Sequence, residues 1–463
     1  MIRVWKNMFA PINKIPPEIL ALIPDFWNMH KRDQDIIALT HVCRAWRELF
    51  VSRSSLWTDF DCLDENKTPV YLERSNSSPI SLSLDLSLGI SSCASFFQII
   101  PHATGRLKSL SIEGPSEDLE VVISHLSHPA PLLNHLSIRL SPGHVPDRYP
   151  ALSFALFNGD LSSLRTLCLE SVHTELPWRN MVNLTSFTLY YTPPEVVSVK
   201  LLLDFFENAP YLEEVGLYFV TLTAGAQDSR LVSLACLKSM RIEDNNPASV
   251  LLDHLLIPVG AKLEIQADML SSLIGVHLPR SLDNLKNLTN FTTIQLHPGG
   301  PSPGMKFSGP DGQVKITLTI HCPTGSLLES LGELNTSNTE RLGIDSGDLP
   351  TGDALYRALI PMKALRTLTF SRCTNPDIFI HALQPATSSS GVVVCPKLEE
   401  LVLVLHPYEK MSPITSIIEM VVARASRGEK LRTVRIIGGC GTADPDVLKL
   451  RKHVWNVEYY PEV

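Results

Sequence analysis

One short phrase, apolar-x-x-apolar-x-apolar, recurs along most of this chain and limits what it can fold into. Clear copies are Leu107–Ile112, Leu164–Leu169, Leu184–Leu189, Leu237–Ile242, Leu365–Phe370, Leu398–Leu403 and Leu431–Ile436. Weaker copies start near Ser81, Leu133, Leu212, Gly260, Phe291, Lys315 and Thr339, which makes 14 starts with a mean spacing near 27 residues. The apolar positions define the phrase, so the residues between them are the independent test. In a strand, side chains alternate between faces. The second, fourth and sixth residues after each start should therefore turn away from the core, and 34 of those 42 positions are polar or charged. Random placement in a chain that is 44% hydrophobic does not produce that bias. The phrase predicts strands with one buried and one wet face.

Between the strands lie helical stretches, among them 95–100 and 201–206, the latter leading into Asn208-Ala-Pro-Tyr-Leu-Glu-Glu214. A strand–helix unit cannot bury its apolar face alone, but stacked copies share a continuous core. In period and phrase the array resembles leucine-rich repeats. The resemblance implies an α/β fold: a three-helix N-terminal module followed by a curved leucine-rich-repeat solenoid with a parallel inner sheet. Fourteen strands at ~4.8 Å would give a face on the order of 60 Å long. The array departs from the ideal. Spacings run from 20 to 33 residues, and the Asn or Cys expected eight residues after each start occurs only as Asn245 and Cys373. The segments 297–312 and 384–391, rich in Gly, Pro and Ser, read as loop insertions. The last strands put Val402, Val404 and Ile437 on the wet face, and a C-terminal segment with Val454, Trp455 and Tyr459 is expected to cover them as a cap.

The first 60 residues have a different pattern. Pro16 and Pro17 suit the start of a helix, where a missing N–H costs nothing, and Glu18 favours its positive end. Ile19, Leu20, Leu22 and Ile23 make it apolar, and Pro24 limits it. Asp33 is the expected N-cap of a second helix carrying Ile36, Ile37 and Leu39. Val42, Trp46, Leu49 and Phe50 form the stripe of a third, and Leu56 and Trp57 come after a Ser-rich turn. So small a module is marginal alone and carries more apolar residues than its core needs, so a partner surface is the natural sink.

The order Ile15-Pro16, apolar helix, Val42-Cys-Arg-Ala-Trp-Arg47 and Leu56-Trp57 resembles an F-box. Ile15 stands where the family has Leu before Pro. The resemblance implies docking, helix in groove, on a Skp-family linker, which in turn binds a cullin carrying a RING subunit. The family's contacts would fall on Ile15, Pro16, Ile19, Leu20, Ile23, Val42, Cys43, Trp46 and Leu49. The expected division is an F-box at 10–60, a short bridge at 61–79 holding one helix at 70–74, and repeats with a cap at 80–463.

Composition excludes other classes. The net charge is −8, with no basic run, so nucleic-acid and acidic-membrane binding are not expected. Nine dispersed cysteines without a Cys-x-x-Cys pair read as reduced thiols of the cytoplasm or nucleus. Neither a signal peptide nor an apolar run of spanning length is seen, so the sequons at Asn183 and Asn290 are expected to stay unmodified. No zincin, P-loop, serine-elbow or zinc-finger spacing occurs. Gly438–Thr442 reads as a turn, and His125 and His128 as packing residues. No cofactor and no metal is expected, and the chain reads as a non-catalytic adaptor subunit of a Skp–cullin–F-box ubiquitin ligase. The alternative is a repeat scaffold with no ligase role. The unknown protein substrate should meet the wet face, where Arg139, Glu170, Tyr190, Tyr218, Arg241, Glu243, His297 and His321 are the candidates, with Tyr190 and Tyr218 at equivalent positions of successive repeats.

Overall fold

A computed structural model of the chain describes residues 11–26, 32–62, 65–87, 89–141, 150–152, 156–174, 181–190, 197–223, 230–244, 248–267, 284–287, 291–297, 304–311, 314–320, 324–331, 334, 336–345, 352–373, 376–384, 394–405, 414–438 and 444–460. The fold is mixed α/β and rich in parallel strands. It divides into two compact units, Met1–Pro193 and Pro194–Val463.

The first unit opens with three short helices: α1 (Pro17–Leu22), α2 (Arg32–Thr40) and α3 (Arg44–Ser52). Pro16 is the N-cap of α1 and Pro17 its first residue, and the Pro16 carbonyl accepts the amides of Ile19 and Leu20. α2 starts at Arg32, so Asp33 lies inside its first turn and not at the N-cap. α3 packs on both other helices and buries Trp46 and Phe50 with Leu20, Ile36 and Leu39. Trp57 ties this module to a fourth helix, α4 (Lys67–Ser75), which spans the helix expected at 70–74. The buried Trp57 Nε1 donates to the Phe50 carbonyl at 2.9 Å. Its ring meets Tyr71 of α4 edge-on, and the guanidinium of Arg74, also on α4, lies 4.3 Å from its centroid.

Two residues after Trp57 the chain is already a strand. β1 (Asp59–Asp61) pairs in parallel with β2 (Ile80–Asp85). Next come β3 (Leu107–Gly114), β4 (His135–Leu140), β5 (Thr166–Glu170) and β6 (Ser186–Tyr190), each parallel to the one before. Helices α5 (Ala94–Ala103) and α6 (Ser116–Ser124) cross between them. Burial alternates as the phrase requires: Leu167 and Leu169 are buried, and Thr166, Cys168 and Glu170 are half-exposed. Backbone bonds link successive turns, with an occasional side-chain bond such as Asn183 Nδ2 to the Ser162 carbonyl beside them. The amides of Asn134, Arg165 and Thr185 donate to the carbonyls of Lys108, Asn134 and Arg165 one turn back.

The second unit holds β7 (Glu214–Tyr218), β8 (Ser239–Asp244), β9 (Lys262–Ala267), β10 (Thr293–His297), β11 (Gly304–Ser308), β12 (Val314–Ile320), β13 (Arg341–Asp345), β14 (Thr367–Cys373), β15 (Glu400–Leu405), β16 (Thr433–Ile437) and β17 (Asn456–Tyr460). A strand thus lies at each of the 14 expected positions. The helix expected at 201–206 is α7 (Val199–Glu207), which buries Leu202, Leu203, Phe205 and Phe206.

Two expectations are corrected. The segment 297–312 is not simply a loop, because Gly304–Ser308 forms β11, antiparallel to β10 and to β12. Spatial order in this stretch is β9-β12-β11-β10-β13, so β10 and β12 exchange places relative to their order in the chain. Connection length explains it. Six residues separate His297 from Gly304, whereas a parallel crossover needs about a dozen or more. The next strand must therefore turn back. Gly304 suits its place, since a Cβ there would clash with the Leu318 carbonyl oxygen. Secondly, the C-terminal segment does not fold over the wet face. It adds β17 in parallel beside β16, which satisfies backbone groups that a cap of side chains would leave unpaired. Val454 is buried and Tyr459 half-buried, while Trp455 is 88% exposed. Val402 is buried in register between Thr369 and Arg435.

One side chain anchors a loop return in this unit. Arg424, on the helix Ile414–Ala425, is fully buried and donates at 2.8 Å to each of the Val394 and Cys395 carbonyls, with Glu429 at 3.4 Å. Arg424→Ala leaves those carbonyls and the Glu429 charge without their partner, and is expected to cost about 3–5 kcal/mol, read from a denaturation midpoint. Gly304→Val is expected to cost about 1–3 kcal/mol by overpacking, with no such loss at an open glycine such as Gly260, which has nothing within 4 Å of its Cβ position.

Candidate functional site

Two surfaces carry the residues singled out in the sequence. The first is the outer side of the N-terminal helices. Packing of α3 against α1 and α2 sorts the nine expected docking residues into three groups. Pro16, Ile19 and Val42 are exposed; Ile15, Ile23, Cys43 and Leu49 are half-buried; Leu20 and Trp46 are buried. The two buried side chains hold the module together, Trp46 standing edge-on to Phe50. Three further apolar residues face outward that are not among those nine: Ile12, Leu22 and Ile37. With Ile19 and Val42 they are between 39% and 55% exposed. The signal for two of them is present in the sequence, since Ile12, Ile15, Ile19 and Leu22 recur at intervals of three and four residues. Polar contacts on α3 hold it in place: Arg47 Nε donates to the Thr40 carbonyl at 2.9 Å, and Arg44 pairs with Glu48 one turn on.

The second surface is the wet face of the strands. In the first unit Arg139, Glu170 and Tyr190 stand in register on neighbouring strands. Arg139 Nε lies 3.9 Å from Glu170 Oε2. Burial raises the Glu170 carboxyl above its ordinary range against the pull of Arg139. Burial and the same Arg139 lower the His135 imidazole.

In the second unit Tyr218, Arg241 and Glu243 come together. Tyr218 is opposite Glu243 in register, the Arg241 guanidinium is 5.4 Å from the Tyr218 ring centroid, and its Nη2 is 3.3 Å from Glu243 Oε2. Arg241 also reaches Glu264 at 3.9 Å. Beside them opens a cavity of about 270 Å³ whose lining runs from Arg241 and Glu264 to His297 on the far side. It spans the exchanged strands: its lining crosses β8, β9, β12, β11 and β10 in that order, with the short side chains of Thr317 and Thr319 and the bare Gly304 between Arg241 and His297. His297 Nδ1 is 3.6 Å from Asp345 Oδ2, and Arg372 takes the other oxygen of that carboxylate at 2.6 Å. Tyr190 and Tyr218 belong to different units. His321 lies outside the described residues.

Among the described residues no group of three His, Cys, Asp or Glu is placed to hold a metal ion, and no helix is long and apolar enough to cross a membrane. Burial pushes the Cys62 and Cys395 thiols up to about 12, so neither supplies a thiolate nucleophile near neutral pH.

Residues 12–63 match the F-box-like family. The match takes in the three helices, Trp57 and β1, so this part of the chain is similar to an F-box-like domain. No curated protein matches the chain.

The sorting of the helical residues has a direct consequence. Trp46→Ala or Trp57→Ala is expected to lower stability by about 3–5 kcal/mol. Ile19→Ala and Val42→Ala, on exposed side chains, should stay within about 0.5 kcal/mol of the parent. Thermal melts of the four variants side by side check both halves of the statement.

Proposed function

We propose that this protein is a substrate-recognition adaptor of a Skp–cullin–F-box type ubiquitin ligase, acting in the cytoplasm or nucleus. F-box domains generally bind Skp-family proteins, and F-box proteins are typically adaptors and not catalysts. The observation that carries the reading is the F-box-like match over 12–63, on a module that keeps Ile12, Ile19, Leu22, Ile37 and Val42 outside its own core. Exposed apolar side chains on short helices suit a helix-in-groove partner. In this reading Ile15, Pro16, Ile23, Cys43 and Leu49 border the contact, and Leu20 and Trp46 support it from within. The linker would bring a cullin and its RING subunit.

The division in this reading is an F-box at 10–60, a bridge at 61–79 and irregular leucine-rich repeats from 80 onward. The parallel strands, their alternating burial and the turn-to-turn backbone ladder support the repeat assignment. The wet faces, with Arg139, Glu170 and Tyr190 in one unit and Tyr218, Arg241, Glu243 and His297 in the other, would receive the substrate. The adaptor makes no bond itself. It raises the effective concentration of a substrate lysine near a ubiquitin-charged enzyme.

The test is co-purification of the full chain with a Skp-family linker and a cullin. Wild type should retain both. The Ile19→Asp/Val42→Asp double variant should lose the linker while keeping the parent melting temperature, because it places two charges in an apolar contact and none in the core. Retention of the linker without any cullin would favour a scaffold with no ligase role. No linker binding by folded wild type would refute the proposal.

A further inference from the structure

We propose that the cavity between Arg241 and His297 is an anion subsite that takes the acidic side chain of a protein substrate. This deepens the adaptor reading and rests on it.

Size comes first. At about 270 Å³, the cavity falls below the roughly 300–1,000 Å³ of typical small-molecule sites, which suits one side chain better than an extended cofactor. It exists because three short residues are set among long ones. Gly304 is in register with His297 on one side and Thr319 on the other. Thr317 is in register with Glu264 and with Lys306. A longer residue at Gly304 would press its Cβ on the Leu318 carbonyl. The depression therefore follows the line of short side chains across the exchanged strands.

Charge comes second. Several cations on or beside the strands of this unit are neutralised by a carboxylate: Arg366 by Glu399, Arg435 by Glu458 and Arg372 by Asp345, each at 2.6 Å, while Arg341 donates to the Thr293 hydroxyl. At the cavity, Glu264 is already taken by Lys262 and Arg241, and Asp345 by Arg372 and His297. Lys306 differs. It is exposed at the cavity wall, and no acidic side chain pairs with it among the described residues. Its neighbours Thr317 and Thr319 offer hydroxyl donors on the floor. A carboxylate entering from a bound chain would meet one uncommitted ammonium and two hydroxyls, with Arg241 behind them. Neutral residues would leave the ammonium no better paired than in water. A phosphorylated serine offers the same oxyanion chemistry with more charge.

The test uses the full chain bound to a Skp-family linker and three fluorescent peptide pools of equal length with randomised flanks, carrying Glu, phosphoserine or Gln at the centre. Anisotropy should show at least one anionic pool binding about tenfold tighter than the Gln pool, and less tightly as salt rises. Lys306→Met should bring that pool to the Gln level, and Thr317→Phe, which fills the floor, should do the same without touching a charge. Both variants should keep the linker. The phosphoserine pool binding tighter than the Glu pool assigns the anion to a phosphorylated substrate, and the reverse assigns it to a carboxylate. Equal binding of all pools, no binding of any, or a preference that survives both substitutions overturns the subsite. Linker loss by wild type would instead count against the adaptor reading, whatever the peptides do.

Discussion

A short parallel strand with one apolar face cannot stand alone: its backbone groups need a neighbour on each side, and its buried side chains need a layer behind them. The architecture of this protein comes from meeting that demand repeatedly. Leucine and isoleucine at alternating positions supply the buried face, and turn amides such as those of Arg165, Arg366 and Glu399 donate to carbonyls one repeat back. The F-box-like helices obey the same constraint. They do not hang on a flexible tether, because β1 begins two residues after Trp57 and pairs with β2. Trp57, buried among Phe50, Tyr71 and Arg74, joins the helical core to the strand core.

Once the apolar residues of each strand are committed to the core, the opposite face is left for polar side chains, and these largely pair with one another. Arg435 bridges Glu458 and Glu400, and Asp345 is shared by Arg372 and His297. Such exposed pairs contribute little stability individually. Their effect is to leave few charges uncommitted, which makes the wall with Lys306 stand out. Exposed large apolar residues occur in both units, and five of them, Ile12, Ile19, Leu22, Ile37 and Val42, lie on or beside the short N-terminal helices.

Much of the strand framework was legible because alternation is a local property. A buried–wet rhythm within six residues needs no knowledge of neighbours, and the phrase found strands even where spacing varied. Strand order was not legible in the same way. Gly304-Met-Lys-Phe-Ser308 alternates like the others, but it sits among Gly and Pro residues that read as turns, and only the shortness of the 298–303 link argues for a reversed strand. The cavity depends on that reversal, so Lys306 could not be named from the sequence, although Arg241 and His297 could. On the helices, the stripe of α3 identified which residues are apolar but not which way they turn. Val42 was expected on the same stripe as Trp46, but α3 starts only at Arg44, with Cys43 as its N-cap, so Val42 falls in the turn after α2 and is 53% exposed while Trp46 is buried.

The proposed docking surface is formed by the outward apolar residues of the N-terminal helices. Hydrogen–deuterium exchange on the full chain, with and without a Skp-family linker, tests that claim most directly. New protection should be confined to peptides covering 12–22 and 37–49, with the strands of the second unit unchanged. Protection appearing on the strands and not on those helices, or nowhere despite saturating linker, would contradict it.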